Sequence, residues 1–191
     1  GCGNRASENT DIGSAQADDK TAVFEEKESV DAQTIAEILK DIYAGAASEN
    51  TLGSLDTKRR MIARLGEHGL CAVDQENQVD MTQPEQALAF CRAVAQKERA
   101  QMTVFVFDGA GFHKYDLQTW DGYVNVNREY DQYDENGQLQ EKNEESYPAD
   151  FWQYTEEGYL FFGGSYFSDE NYILTLSDAS EYTALRILPL S

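Results

Sequence analysis

The stretch Thr103-Val104-Phe105-Val106-Phe107 (TVFVF, residues 103–107) divides this sequence into two parts of different hydrophobic period. Its apolar residues fall on both faces of an extended chain, so it reads as a central strand with no wet side. Beyond it, turn signals arrive about every dozen residues, at Asp108-Gly109, Asp121-Gly122, Asn136-Gly137, Glu157-Gly158 and Asp169-Glu170-Asn171. Short runs between such turns make an antiparallel meander. Taken as a two-residue type I′ loop, Asn136-Gly137 sets Arg128 opposite Glu145 and Asp131 opposite Lys142, both pairs of unlike charge, and also faces Glu129 with Glu144. The closing segment YTALRILPLS (182–191) reads as an apolar strand without a polar tail. It suggests the N-terminal part of a longer protein; the alternative is a last strand tucked into the sheet.

Upstream of residue 103 the period is helical. After Ser29 as N-cap, Ile35, Ile38, Leu39, Ile42 and Tyr43 recur on one face, and Gly45 follows, which predicts an amphipathic helix of about four turns. A second helix begins near Asp56, turns Met61, Ile62 and Leu65 inward and stops between Gly66 and Gly69. LCAV (70–73) and QVDM (78–81) have the length of a short hairpin. A third helix follows Thr82-Gln83-Pro84-Glu85, a capping box with proline in the first turn, and carries Ala87, Leu88, Cys91, Val94 and Ala95 inward. The predicted fold class is α+β, with N-terminal helices packed against one face of a long antiparallel, meander-like β-sheet. The helical part spans about 29–100 and the sheet about 101–191, within a single domain 29–191.

Thirty-five acidic against 15 basic side chains give a net charge of −20, which argues against any role that neutralises nucleic-acid phosphates. The charge favours cationic peptides or diffuse calcium association instead. No apolar run reaches the roughly 18 residues of a spanning helix, so membrane attachment has to be covalent or through a partner. Cys2, preceded by Gly1, sits as the modified cysteine does at the cleavage point of a bacterial lipoprotein signal. Residues 1–28 then act as a flexible polar tether, too poor in apolar side chains to repay the entropy of ordering. Some 25 such residues reach roughly 25 to 30 Å. The other reading is that Gly1 is a cloning scar and Cys2 the first residue of a convenient fragment.

Cys91 falls on the apolar face of the third helix and Cys71 within GLCAV, so two buried thiols are expected, with a disulfide between them as the alternative. No CxxC or paired-histidine spacing supports a metal, and no motif implies a cofactor. Aligning Gly137 with the invariant glycine of a calcium loop puts Asp134 and Asn136 on ligand positions, but Gln132 takes the first and Asn143 the last, so the loop fails and a turn explains it. His68 and His113 are the two histidines: the first reads as a helix-end residue, the second as a strand residue in GFHKYD. Ser165 follows Gly163 and Gly164 without the frame of a nucleophile elbow. Lys58, Arg59, Arg60 and Arg64 form a basic island on the second helix that pairs with the protein's own carboxylates or faces solvent.

Aromatic residues crowd one stretch: Tyr147, Phe151, Trp152, Tyr154, Tyr159, Phe161, Phe162, Tyr166, Phe167 and Tyr172. Alternation on a one-sided sheet buries about half of them. Trp152, Tyr154 and Tyr159 are the candidate ligand platform, for a sugar ring, a peptide or another protein face; the alternative is a second layer that covers them.

AVDQENQVDM (72–81), KYDLQTWDGYVNVNREY (114–130), SYPADFWQYTEEGYLFF (146–162) and LTLSDASEYTALRILPL (174–190) together resemble an uncharacterised family of cell-surface lipoproteins of Gram-positive bacteria. The resemblance covers the chain from about Ile35 onward and implies a lipid anchor at Cys2, a place on the outer face of the cytoplasmic membrane and a further domain after Ser191. It carries no activity. The function expected first is a membrane-tethered extracytoplasmic module that binds a peptide, a carbohydrate or another surface protein, with no catalytic residue. A hydrolase completed by an absent C-terminal portion, with His113 or clustered carboxylates contributing, ranks second, and a structural spacer third.

Overall fold

The computed structural model describes residues 30–164 and 182–188; Cys2 and the tether, the Ser29 cap, Ser165, the Asp169-Glu170-Asn171 turn, Tyr166, Phe167 and Tyr172 lie outside them. The described elements are α1 (Ala32–Ile38), α2 (Lys40–Glu49), α3 (Leu55–Glu67), β1 (Cys71–Asp74), α4 (Pro84–Gln96), β2 (Ala100–Phe107), β3 (Gly111–Trp120), β4 (Tyr123–Tyr133), β5 (Leu139–Tyr154), β6 (Tyr159–Gly164) and β7 (Thr183–Arg186). The seven strands lie in sequence order in one mostly antiparallel, nearly barrel-shaped sheet, so the fold is mixed α+β.

TVFVF is buried on both sides, as its pattern requires. Phe105 and Phe107 join Ile35, Leu39, Ile42, Met61, Ile62 and Leu65 in an outer core. Val104 and Val106 point the other way, into an inner core with Ala87, Phe90, Cys91, Leu160, Phe162 and Leu185. The helices therefore do not share one face of the sheet. The first three cover the outside, whereas α4 packs on the inside of the curl, because β2 offers an apolar surface to each.

Other local expectations also change. The predicted four-turn helix is divided at Leu39, where φ is −99° and ψ 5°, and α2 runs past Gly45 to Glu49. Asp31 caps α1 by accepting from the Thr34 N–H at 2.9 Å. The second helix is capped by Ser54 and buries Met61, Ile62 and Leu65 as expected. The predicted hairpin of LCAV and QVDM is absent from the described sheet. Cys71–Asp74 instead pairs in parallel with Val104–Phe107, and α4 supplies the crossover that a parallel pair needs.

The residues after β1 close the curl. The capping box at Thr82 does not form: Gln83 is the N-cap, without a side-chain bond, although Pro84 opens the helix as expected. The Thr82 hydroxyl donates to the Leu70 carbonyl at 2.9 Å and accepts from the Ala72 N–H at 3.0 Å, covering the outer edge of β1. Asn77 does the same for β7: its Nδ2 donates to the Ala184 carbonyl at 3.0 Å and its Oδ1 accepts from the Arg186 N–H at 2.9 Å. Among the described residues one loop thus bonds to both edges of the sheet, which otherwise offer unpaired backbone to other chains.

Asn136-Gly137 is not a two-residue loop. Asp134 receives the Gly137 N–H at its carbonyl and donates its own N–H to Gln138, enclosing three residues with Gly137 at φ 77°. Thr155 to Tyr159 repeats this loop with Gly158 at φ 95°. A type I turn closed by glycine in the left-handed region is the usual three-residue hairpin. The extra loop residue moves Asp131 opposite Glu141, not Lys142; a bulge between Tyr130 and Asp131 then restores the predicted Arg128–Glu145 and Glu129–Glu144 pairs.

The basic island is internally committed in part. Lys58 makes a buried ion pair with Asp74 at 2.8 Å, and Arg64 makes two bonds to Asp41 at 2.9 and 3.1 Å. Arg59 and Arg60 are exposed.

Candidate functional site

The outer face of the sheet changes character along its strands. Toward the β2–β3 turn it is phenylalanine under helices. Toward the start of β2 it is polar, because alternation places Thr103, Asp116, Asn127 and Ser146 side by side across four strands. A second rank, Gln101, Gln118 and Asn125, lies beside it. Both ranks line a recess of about 840 Å³ that also takes in Val30, Leu70 and Phe105, and reaches Ala89, Phe90, Met102 and Leu117 around the start of β2. The opening exists there because the β1 ladder begins only at Val104.

Within the recess Asp116 is the charged side chain, and its charge is answered. Thr103 Oγ1 donates to it at 2.5 Å, and the buried Lys114 Nζ lies 3.6 Å away. Asn127 Nδ2 leans toward Glu144 at 3.4 Å and Asn125 Nδ2 toward Ser146 Oγ at 3.5 Å. These long bonds orient the amides; among the described residues nothing donates to their oxygens. The surface presents acceptors and donors of no net charge.

Beside the polar ranks stand Lys114, Glu129 and Glu144, then Phe112, Asp131 and Glu141. Asp131 is 2% exposed and its Oδ2 has no hydrogen-bond partner as a carboxylate. Burial, then the bond to Glu129 and the charges of Glu129 and Glu141, push its carboxyl up to about 8, against the pull of Lys114. Asp131 therefore keeps its proton, turned toward Glu129, well above the pH at which an exposed aspartate loses it. Among the described residues no three His, Cys, Asp or Glu side chains are grouped to hold a metal ion.

The inner face carries a second polar group. His113 lies against Tyr130 with ring centroids 4.5 Å apart, and Tyr130 Oη donates to Asp108 Oδ2 at 3.1 Å. Arg128 binds Glu145 on the next strand, and Tyr115 Oη meets Thr183 Oγ1 at 3.2 Å. Burial and then the Arg128 charge hold the His113 imidazole below its ordinary value, so it is neutral at pH 7. His68 is exposed at the end of α3, its Nδ1 at 3.0 Å from the Arg64 carbonyl.

Of the platform residues, Trp152 and Tyr154 come together and Tyr159 does not join them. Trp152 faces Phe162 and Tyr154 faces Leu160, both packed on the inner core, and Trp152 lies 5.6 Å from Phe90. Tyr159 stacks beside Phe161 on the opposite face of β6, the side that carries Phe151 and Tyr182. Alternation sets Tyr159 apart from the other two rings. Cys71 and Cys91 are free, buried thiols, pushed up by desolvation to about 12 and 11.

Residues 25–191 match the family of unknown function DUF6070. The chain belongs to DUF6070. No curated protein and no solved structure matches this DUF6070 domain. Its membership brings no substrate, so what the DUF6070 site can do follows from its own side chains.

The polar ranks of the DUF6070 sheet escaped sequence reading because each residue is ordinary alone. The signal that places them is Asp121-Gly122, with both φ values positive, 50° and 86°. Such a pair makes a two-residue loop, and counting back from Trp120–Tyr123 puts Gln118 beside Asn125 and Asp116 beside Asn127.

Proposed function

We propose that this chain is a binding module that takes its ligand in the recess on β2 to β5, and that a lipid on Cys2 tethers it at the outer face of the cytoplasmic membrane of a Gram-positive bacterium. The observation that carries the binding reading is the pair of polar ranks in a recess of about 840 Å³, within the size of ordinary ligand sites. The two ranks bring donors and acceptors from four strands to one place, where a single ligand can meet them together. The polar residues from Gly3 to Ser29 support the tether. The candidate partners are a peptide, a carbohydrate or another surface protein. Calorimetric titration of the 191-residue chain with such ligands tests the module, Asn127→Leu being the variant that weakens binding by about tenfold. Affinity unchanged in Asn127→Leu counts against the recess. Intact mass of the protein taken from native membranes tests the anchor through the diacylglyceryl increment at Cys2.

A second reading, acid–base hydrolysis, is favoured by the neutral His113 among Tyr130, Asp108, Arg128 and Glu145. Cleavage of a bound ligand that disappears in His113→Ala selects this reading over pure binding.

A further inference from the structure

The recess selects its ligand by charge and by the direction of its polar groups. Cations that could hold a phosphate or carboxylate are lacking among its described lining residues. Lys114, beside Asp116, is 6% exposed and turned to that carboxylate. A net charge of −20 further repels anions. A cationic ligand has Asp116 alone to bind in the lining, and that carboxylate is already met by Thr103 and Lys114. What remains is a neutral ligand rich in groups that both donate and accept.

Side-chain direction separates a glycan from a peptide. An extended peptide is captured mainly through backbone bonds at a sheet edge. Here Asp116, Asn125 and Asn127 belong to β3 and β4, interior strands with neighbours on both sides, and reach the ligand from the sheet face. Planar amides and carboxylates offer paired sites to adjacent hydroxyls. Gln118 beside Asn125 and Asp116 beside Asn127 stand at the strand spacing of about 4.8 Å, a step comparable with one pyranose of an extended chain. The apolar rim at Val30, Leu70 and Met102 suits the C–H faces of sugar rings.

We infer that the recess is a subsite for a neutral oligosaccharide, whose hydroxyls are read by Asn125 and Asn127. The inference rests on the binding reading above. Titration of the 191-residue chain with chitotetraose, cellotetraose and maltotetraose is the direct test, beside an uncharged extended peptide as comparison. The expected result is saturable binding of at least one tetrasaccharide that Asn125→Leu and Asn127→Leu each weaken by about tenfold, while Glu85→Ala on the exposed face of α4 leaves it unchanged. Because the asparagines are partly exposed, their melting temperatures stay near that of the parent, and circular dichroism shows that loss of binding is not loss of fold. Binding of the peptide but of no tetrasaccharide, with the same sensitivity to Asn127→Leu, overturns the glycan and leaves the module. Binding of neither overturns both.

Discussion

Asp131 holds its proton to a higher pH than an exposed aspartate does. Its oxygen faces Glu129 on its own strand and Glu141 across β5, with Lys114 on β3 as the opposing charge. Lys114 also feels Asp31 at the start of α1. The folded carboxyl titrates at about 8 and the unfolded one near 3.8, so the folded chain holds the extra proton between these limits. Stability from this group is therefore full below about pH 4 and is lost as pH rises toward 8, at a rate on the order of 1 kcal/mol per pH unit where steepest. Asp131→Asn keeps the shape of the neutral acid and cannot ionise. Urea midpoints at pH 5, 6, 7 and 8 should fall for the parent and stay nearly level for the variant. Equal slopes in the two proteins would remove Asp131 as the cause.

At the scale of elements, the loop between β1 and α4 replaces strand pairing with side chains. Asn77 imitates a backbone unit, giving one donor and one acceptor to β7. Asn77→Ala removes both bonds and costs about 2 kcal/mol; amide exchange should accelerate at Arg186 and not at Val126, which sits in the middle of the sheet. If both amides accelerate equally, the loop is holding the whole fold and not one edge. These substitutions by side chains explain where sequence reading stopped. TVFVF announced a strand buried on both faces, and the spacing of Met61, Ile62 and Leu65 announced α3, because each pattern repeats within its own element. Cys71–Asp74 is four residues long and all buried, so nothing in it chooses a parallel partner 33 positions away over a hairpin. Thr82 had two partners open to it, a helix N–H and the β1 edge, and only the assembled sheet decides between them. The β4–β5 register came out right beyond Tyr130 through two compensating features, a longer loop and a bulge at Lys142, neither of which the Asn-Gly pair declares. The recess is legible only once β2, β3, β4 and β5 are in register, since its residues come from all four.

Across the whole molecule, β2 couples the two cores. Its odd-numbered phenylalanines lie under α1–α3 and its valines against α4, so loss of either layer leaves one face of the same strand in water. The molecule should consequently open as one unit and not helix by helix. Cys71 on β1 and Cys91 on α4 report this directly, since both lie in the inner core on different elements. Their thiols are pushed up to about 12 and 11, which lowers the reactive thiolate at least about a hundredfold below that of an exposed cysteine, before steric protection is added. In a Cys2→Ser background, labelling by a disulfide reagent at pH 8 should be negligible for the native protein over minutes. Under mild urea the two thiols should react with one common rate that follows the global unfolding equilibrium. Cys91 reacting well ahead of Cys71 would instead mean that α4 leaves the curl on its own, and the inner core would then be a separable layer beneath a sheet held by α1–α3.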